Sequence, residues 1–278
     1  MSECVRCAKA ALVAAACLSA AACAPDLRPG EPPGPSGDPC ATALICEDFE
    51  DLEPQTEPDE AIYAETNGGE VVVETTRSWS GKNSVKLSTD ADDDYKAAML
   101  VYGEPGVQLS PGNIYYGRMM FWLESVPADV SWTMIAGAGL VPGESYHANY
   151  RYGGHGSQLQ ATYETPDSYD TPPIGPSTSC WDDSAVPVAI ARWTCAEWKF
   201  DGENDETQLW LDGVEVSDVH VRGAGEGCAS QPPNYEWTAP TFTQLYVGWE
   251  SYNLDEARTI WIDDLAFGTQ RIGCPASP

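Results

Sequence analysis

Alternation of apolar and polar residues is the dominant pattern in the chain after residue 68. Short segments alternate with a period of two, and clusters of Gly, Pro, Asn and Asp separate them. No segment of useful length shows the period of an amphipathic helix, so the pattern predicts an all-β domain. The predicted strands lie within residues 69–76, 83–89, 97–103, 113–125, 146–154, 157–164, 193–202, 207–221, 242–252 and 258–268.

So many strands in one domain require two sheets packed face to face. We therefore predict a β-sandwich of jelly-roll type. The polar residues 201–206 lie between two aromatic strands and predict a hairpin turn. A long loop is predicted over residues 165–183, held by Cys180; its Trp181 is expected to pack the loop down or to serve as a platform for a sugar ring.

The first 39 residues differ in composition from the rest. Residues 1–23 combine an early Arg and Lys with an uncharged Ala-rich run, which is typical of a signal peptide. The small residues before Cys23 resemble a bacterial lipobox with Cys23 as the lipidated residue. Cys17 is a rival for lipidation, and simple cleavage near Ala24 is the remaining alternative.

A Pro- and Gly-rich linker follows at residues 24–39, so the folded domain is predicted over residues 40–278. The protein is therefore expected to be exported. It would be either secreted or lipid-anchored at the cell envelope (the outer membrane), and it would meet a membrane only through its lipid anchor. We expect it to be a monomer.

The charge of the chain excludes one class of partner. Among 278 residues, 43 are Asp or Glu and only 14 are Lys or Arg, which gives a net charge of −29. Binding nucleic acid needs a basic face to neutralise phosphates, so the composition argues against nucleic acid.

Cysteine usage agrees with export. An even number of cysteines in an exported domain predicts disulfides, and six cysteines make three. The sequence leaves their pairing open and lacks the close spacing of a zinc site. These cysteines are Cys40, Cys46, Cys180, Cys195, Cys228 and Cys274.

Alternation also places polar side chains together on strand faces. Arg, His and amide side chains beside aromatic residues are typical of a sugar-binding cleft, whereas an ordinary solvated sheet face is the alternative. The residues so placed are His147, Asn149 and Arg151 on one strand, Gln158 and Gln160 on the next, and Arg118 and Trp122 on a third.

Several motifs together resemble the core domain of the cellulose-induced-protein-like family. They are CEDFED at 46–51, SWSGKNSVKL at 78–87, YYGRMMFWL at 115–123, HANYRYGG at 147–154, GWESY at 248–252 and WIDDLAFGTQRIGC at 261–274. The resemblance covers residues 44–274. It implies a concanavalin A-like jelly roll of two antiparallel sheets, the fold also found in glucuronan and alginate lyases.

The resemblance also implies a structural calcium site. The matching positions are Glu50, Ser80, Asn83 and Asp263, together with the neighbouring Asp264. Carboxylate, carbonyl and amide oxygens are the ligands that calcium takes. The alternative is that the two aspartates end a strand and face water.

A polysaccharide lyase is the first functional expectation from the resemblance. β-Elimination at a uronic acid needs a group that neutralises the carboxylate, a base and an acid. The candidate catalytic residues are His147, Arg151, Arg118 and Tyr246; the candidate substrate-binding residues are Asn149, Gln158, Gln160 and Trp122.

Two other functions remain open. A non-catalytic carbohydrate-binding surface lipoprotein is one alternative, and it needs only the aromatic and amide side chains. The net charge of −29 also disfavours the anionic glycan that a lyase would need to bind. A retaining glycosidase needs two carboxylates on one face, and the nearest set, Glu203, Asp205 and Glu206, lies in the predicted hairpin turn.

Overall fold

Two antiparallel sheets make up the fold. A computed structural model describes residues 40, 43–58, 63–91, 94–165, 175–253 and 255–275. The predicted signal peptide, Cys17, Cys23 and the linker at 24–39 lie outside the described residues. No helix among the described residues is long and apolar enough to cross a membrane.

The described residues form seventeen strands. They are β1 (Ala43–Glu47), β2 (Tyr63–Asn67), β3 (Gly69–Glu74), β4 (Ser84–Thr89), β5 (Lys96–Tyr102), β6 (Ile114–Leu123), β7 (Ser131–Leu140), β8 (His147–His155), β9 (Gln158–Thr165), β10 (Thr178–Pro187), β11 (Trp193–Asp201), β12 (Glu206–Leu211), β13 (Val214–Glu215), β14 (Val221–Arg222), β15 (Gly227–Ala229), β16 (Thr241–Ser251) and β17 (Arg258–Gly268). Single 3₁₀ turns lie at Pro111–Asn113 and Ser217–Val219.

A nine-stranded sheet has the order β13-β12-β11-β6-β17-β4-β3, with β1 beside β17 and β14 beside β12. An eight-stranded sheet has the order β15-β10-β9-β8-β7-β16-β5-β2. The predicted sandwich of two antiparallel sheets is therefore confirmed, and so is the hairpin between β11 and β12.

Two long strands were not predicted. β7 reads SWTMIAGAGL, and nearly all of it is buried, so its small apolar residues do not alternate with polar ones. β10 begins inside the stretch predicted as a loop over 165–183, and it places Trp181 on a strand. Residues 166–174 of that stretch lie outside the described residues.

Aromatic rings from both sheets fill the space between them. Phe200 of β11 packs against Tyr150 and Tyr152 of β8 at ring-centroid distances of 5.9 and 5.7 Å. It also packs against Tyr115 of β6 at 5.5 Å and Phe242 of β16 at 5.7 Å. Such pairs bury large apolar areas, so this layer is the centre of the core.

An ion cluster at the β11–β12 hairpin contains Glu206, one of the three acidic residues considered for a glycosidase. Glu206 is buried and accepts hydrogen bonds from Lys199, Arg222 and His220 at 3.0, 2.8 and 2.7 Å. Burial raises the pKa of Glu206, but these donors outweigh it and bring the pKa down to about 2. A carboxylate held ionised by three donors is suited to structural pairing rather than to general acid catalysis.

The six cysteines of the domain pair as three disulfides. They are Cys40–Cys46, Cys180–Cys228 and Cys195–Cys274. The pairs close chain segments of different length, with sequence separations of 6, 48 and 79 residues. The predicted number of disulfides is confirmed, and their pairing is now assigned.

Removing Cys195–Cys274 by a double substitution to Ala should lower the free energy of unfolding by about 4 kcal/mol. This disulfide joins residues 79 positions apart, whereas Cys40–Cys46 joins residues 6 positions apart, so it restricts the unfolded chain more. The matched Cys40→Ala/Cys46→Ala variant should therefore lose only about 2 kcal/mol of the free energy of unfolding. Denaturant unfolding of both variants measures the difference. Equal losses would contradict this entropic account.

Candidate functional site

The outer face of the eight-stranded sheet carries most of the sequence-predicted polar residues. On β8, Asn149 lies opposite Glu164 of β9, and Arg151 lies opposite Thr162. On the other side, β7 presents Ala138 and Ala136 opposite these two residues. Because alternate residues point to one face and the β7 residues are small, space remains above β7 for longer side chains from β16.

A small cavity brings together three of the predicted residues. Asn149 and Arg151 from β8 and Tyr246 from β16 line it, together with Tyr95 and Glu250. Its volume of about 10 Å³ suits a single water molecule. The structure therefore brings two β8 residues and a distant tyrosine to one cavity.

A larger cavity of about 250 Å³ lies on the same face, toward β9 and β10. Its lining combines the aromatic residues Trp181 and Tyr252 with the polar side chains of His155, Gln160 and Glu164. Most of the lining side chains are polar, and the aromatic rings supply its apolar part. Of the residues singled out from the sequence, Gln160 and Trp181 lie here.

An ion pair separates the two cavities. Arg151 is 4% exposed, and its Nη1 lies 2.9 Å from Oε2 of Glu164 and 4.0 Å from Oε2 of Glu250. Nη1 also donates to the hydroxyl of Tyr252. The guanidinium predicted to neutralise a substrate carboxylate is therefore paired with two carboxylates of the protein itself.

Tyrosine hydroxyls complete this cluster. Tyr252 donates to Oε2 of Glu250 at 2.6 Å, and Tyr95 donates to Oε1 of the same carboxylate at 2.6 Å. Burial raises the pKa of Tyr252 well above its usual value; Arg151 opposes this rise, and Glu250 and Glu164 add to it. Tyr252 is thus held as a protonated donor.

Sequence reasoning missed the acidic members of the cluster, although a signal was present. Glu164 alternates with Gln158 and Gln160 along β9, and Glu250 alternates with Tyr246 along β16. Both glutamates therefore lie on the face that the sequence assigned to the cleft. Their contact with Arg151 joins β8, β9 and β16, which a single-strand pattern does not reveal.

His147 and Gln158 lie at the margins of this face. His147 begins β8, four residues before Arg151, and it is not among the side chains lining the two cavities. Gln158 begins β9 and is exposed, whereas Gln160 donates from Nε2 to Oδ1 of Asp183 at 2.6 Å.

Arg118 and Trp122 do not lie in the cleft, and that expectation was wrong. Both belong to β6 of the nine-stranded sheet. Arg118 is buried and donates from Nη2 to the carbonyl oxygen of Asp264 at 2.9 Å. The ring of Trp122 lies 4.0 Å from the guanidinium carbon of Arg77, on the outer face of that sheet. Alternation assigns a side of a strand, but it does not tell which sheet the strand joins.

The residues predicted to hold calcium gather around one loop, at residues 79–83. Oε1 of Glu50 accepts hydrogen bonds from the backbone N–H groups of Lys82 and Asn83, each at 2.7 Å. Oδ2 of Asp263 accepts from the N–H groups of Trp79 and Ser80 at 2.7 and 3.1 Å. The two carboxylates therefore hold the two ends of the loop.

The remaining predicted ligands complete this arrangement, which we call the carboxylate loop. Ser80 donates from its hydroxyl to Oδ1 of Asp264 at 3.0 Å. Asn83 donates from its amide to the carbonyl oxygens of Phe49 and Leu52 at 3.0 and 2.9 Å. All five predicted positions thus meet between the start and the end of the domain.

The chemistry of the carboxylate loop fits a hard cation. Asp263 is fully buried; burial raises its pKa to about 7, backbone N–H groups oppose the rise, and Asp264 adds to it. A positive ion beside Asp263 would favour its charged form. A carboxylate offers about four acceptor positions, so the hydrogen bonds of Glu50 and Asp263 leave capacity for a metal.

No cluster of three acidic ligands forms at the carboxylate loop. Among the described residues, one group of three His, Cys, Asp or Glu side chains brings its ligand atoms within 4.8 Å, and it consists of Cys195, Glu197 and Cys274. Its two sulfurs form a disulfide and are not free to bind metal. A cation at the carboxylate loop would therefore need carbonyl, hydroxyl or amide oxygens besides the carboxylates.

Comparisons with solved structures agree with this fold. The structure titled "Cellulose induced protein, Cip1" matches with a TM-score of 0.57 and 22% identity, over 83% of this chain and all of that one. An endo-β-1,4-glucuronan lyase from the fungus Trichoderma reesei matches with a TM-score of 0.56 and 15% identity, over 82% of this chain and 96% of that one. At these identities the likeness shows the fold alone.

Sequence comparison identifies the family. No curated protein matches the chain. The family model for the Cip1-like core domain, described as polysaccharide lyase-like, matches residues 48–270, which is most of the predicted domain. The chain belongs to the Cip1-like core-domain family of polysaccharide lyase-like proteins.

Proposed function

We propose that the protein binds a polysaccharide on the outer face of the eight-stranded sheet, with the larger cavity as a sugar subsite. The observation that carries this proposal is the pairing of Trp181 and Tyr252 with hydrogen-bonding side chains in a cavity of about 250 Å³. Sugar rings present apolar faces to aromatic rings and hydroxyls to polar groups. Membership of a polysaccharide lyase-like family supports a carbohydrate ligand.

Trp181 is the central contact of this subsite. Its ring lies against Gly227 of β15, where an added Cβ would come within 2.7 Å of the ring. The glycine therefore lets the indole lean over β15, and a bulkier residue would push the ring out of this position. Gln160 and Thr162 supply polar groups from β9 on the same face.

Trp181→Ala should lower the affinity for the bound glycan by at least tenfold, because the subsite loses its largest apolar contact. Affinity gel electrophoresis and calorimetry on cellulose-, glucuronan- and chitin-derived oligosaccharides measure the change. Trp122→Ala is the matched control, since Trp122 is equally half-buried but lies on the opposite sheet. Equal losses in both variants, or no loss in Trp181→Ala, would contradict the assigned subsite.

β-Elimination is the second candidate function. Its support is the convergence of Asn149, Arg151 and Tyr246 in the small cavity, together with the likeness to a glucuronan lyase. One observation counts against it: Arg151 is paired with Glu164 and Glu250. We therefore rank binding without turnover above elimination.

The wild-type protein should produce no rise in ultraviolet absorbance on glucuronan, alginate or pectate. Elimination removes the C5 proton, breaks the C4–O bond and leaves an unsaturated uronate that absorbs in the ultraviolet. A rise that disappears in Tyr246→Phe would overturn this ranking and make the small cavity an active site. The hydroxyl-free variant keeps the ring in its buried position, so its fold should be unchanged.

We also propose that the carboxylate loop holds a structural calcium ion. Its support is the meeting of Glu50, Asp263 and Asp264 with Ser80 and Asn83, and the cost of ionising the buried Asp263. When bound, the ion would supply positive charge beside Asp263 and tie the first strand region to β17. It takes no part in the sugar subsite, which lies on the other sheet.

Calcium at a hundred times its dissociation constant should raise the free energy of unfolding by about 2.7 kcal/mol, and a chelator should reverse the gain. Asp263→Asn should abolish the calcium-dependent part of the stability. Asp51→Asn, which removes an exposed carboxylate beside Glu50, should leave that part unchanged. Thermal unfolding with and without calcium tests this, and no calcium effect in the wild type would refute the site.

We infer that the domain works outside the cytoplasm. Three disulfides in one domain are typical of exported proteins, since cytosolic thiols are kept reduced. A lipid anchor at Cys23 and a spacer at residues 24–39 would hold the domain at the cell envelope. Both lie outside the described residues and stay predictions, as does the monomeric state.

A further inference from the structure

The larger cavity presents negative charge and no free basic side chain. Among the described residues that line it, none is Lys or Arg. Glu164 lines it with a side chain that is 31% exposed, whereas its partner Arg151 is 4% exposed and lies beneath. Because Glu250 also lies within 4.0 Å of the same guanidinium nitrogen, two carboxylates face one cation.

Acidic groups continue on both sides of the aromatic platform. Ser179, Trp181 and Asp183 alternate along β10, and Ser179 lies opposite Glu164 on β9. Glu164 and Asp183 therefore flank Trp181 on one face, roughly 13 Å apart along the strand direction. His155, at the rim, contacts Oδ1 of Asp129 at 2.9 Å, which adds a further carboxylate.

This distribution of acidic side chains favours some sugar substituents over others. A uronate carboxylate entering the cavity would meet Glu164 first, and it would have to displace that side chain to reach Arg151. An ammonium group can instead donate to Glu164, because a carboxylate accepts about four hydrogen bonds and can serve two cationic partners. Amine-bearing sugars are therefore favoured and carboxylate-bearing sugars disfavoured.

We propose that the subsite around Trp181 takes an amino-sugar unit with a free, positively charged amine, with Glu164 as the group that recognises the amine. The inference rests on the proposed polysaccharide binding and names its ligand class. The net charge of −29 acts in the same direction at long range, since it attracts a polycationic glycan and repels a polyanionic one. Trp181 stacks on the ring, and Glu164 selects the substituent.

The test compares short oligomers of equal length made of glucosamine, N-acetylglucosamine, glucose or glucuronate. Calorimetry with the full-length chain, its disulfides formed, measures each affinity. The glucosamine oligomer should bind at least tenfold more tightly than the other three. The N-acetylated oligomer is the decisive comparison, because it keeps the ring and the nitrogen but removes the charge.

Glu164→Gln should weaken glucosamine binding by about tenfold, the loss expected for one hydrogen bond to a charged group. It should leave glucose binding unchanged and strengthen glucuronate binding, since Arg151 loses one of its carboxylates. Glu70→Gln is the charge-matched control: Glu70 is exposed on β3 of the other sheet and changes the net charge equally. Melting temperatures confirm that both variants fold.

The outcomes separate this inference from the proposed function. Equal binding of the four oligomers, tightest binding of glucuronate, or equal losses in Glu164→Gln and Glu70→Gln would overturn the amino-sugar inference while polysaccharide binding stands. Binding of none of the oligomers, with no retention on any glycan, would overturn both. Selective glucosamine binding that is lost in Glu164→Gln alone supports the inference.

Discussion

The aromatic layer between the two sheets is the constraint on which the rest of the structure depends. Phe200 of the nine-stranded sheet packs against Tyr150, Tyr152 and Phe242 of the eight-stranded sheet. Because alternate residues of a strand point to opposite faces, burying Tyr150 and Tyr152 directs Asn149 and Arg151 to the outer face. The core packing thus decides which side chains of β8 point to the outer face of the sheet. A shift of one residue in the register of β8 would turn Arg151 into the space between the sheets and turn the tyrosines to the outer face.

Much of this architecture could be predicted from sequence because one rule covers it. Alternation located most strands and the shared face of β8 and β9, and motif order indicated the family fold. The rule failed where a strand is buried on both sides, as in the small-residue run of β7, since such a strand has no polar face to alternate. It also failed for Arg118 and Trp122, whose side of β6 was assigned but whose sheet was not.

The ion cluster shows a further limit of sequence reasoning. From the sequence of β8 alone, Arg151 is predicted to be a basic group that is open to an anionic substrate. Its two carboxylate partners come from β9 and from β16, which follow it by 13 and 99 positions in the chain. Only the strand order of the sheet brings them together, and it places the guanidinium in ion pairs within the protein. Alternation agrees with the position of both glutamates on this face, but it carries no information on pairing across strands.

The Cys180–Cys228 disulfide has a consequence for the molecule in solution. It joins directly opposed residues of β10 and the three-residue strand β15, which ends the eight-stranded sheet. An uncovered sheet edge offers unpaired backbone groups to strands of other molecules, and such contact leads to aggregation. The covalent bond keeps β15 over the long strand that carries Trp181. Oxidation therefore keeps the exposed edge of this sheet to a strand of three residues, beside the strand on which we propose that a glycan binds.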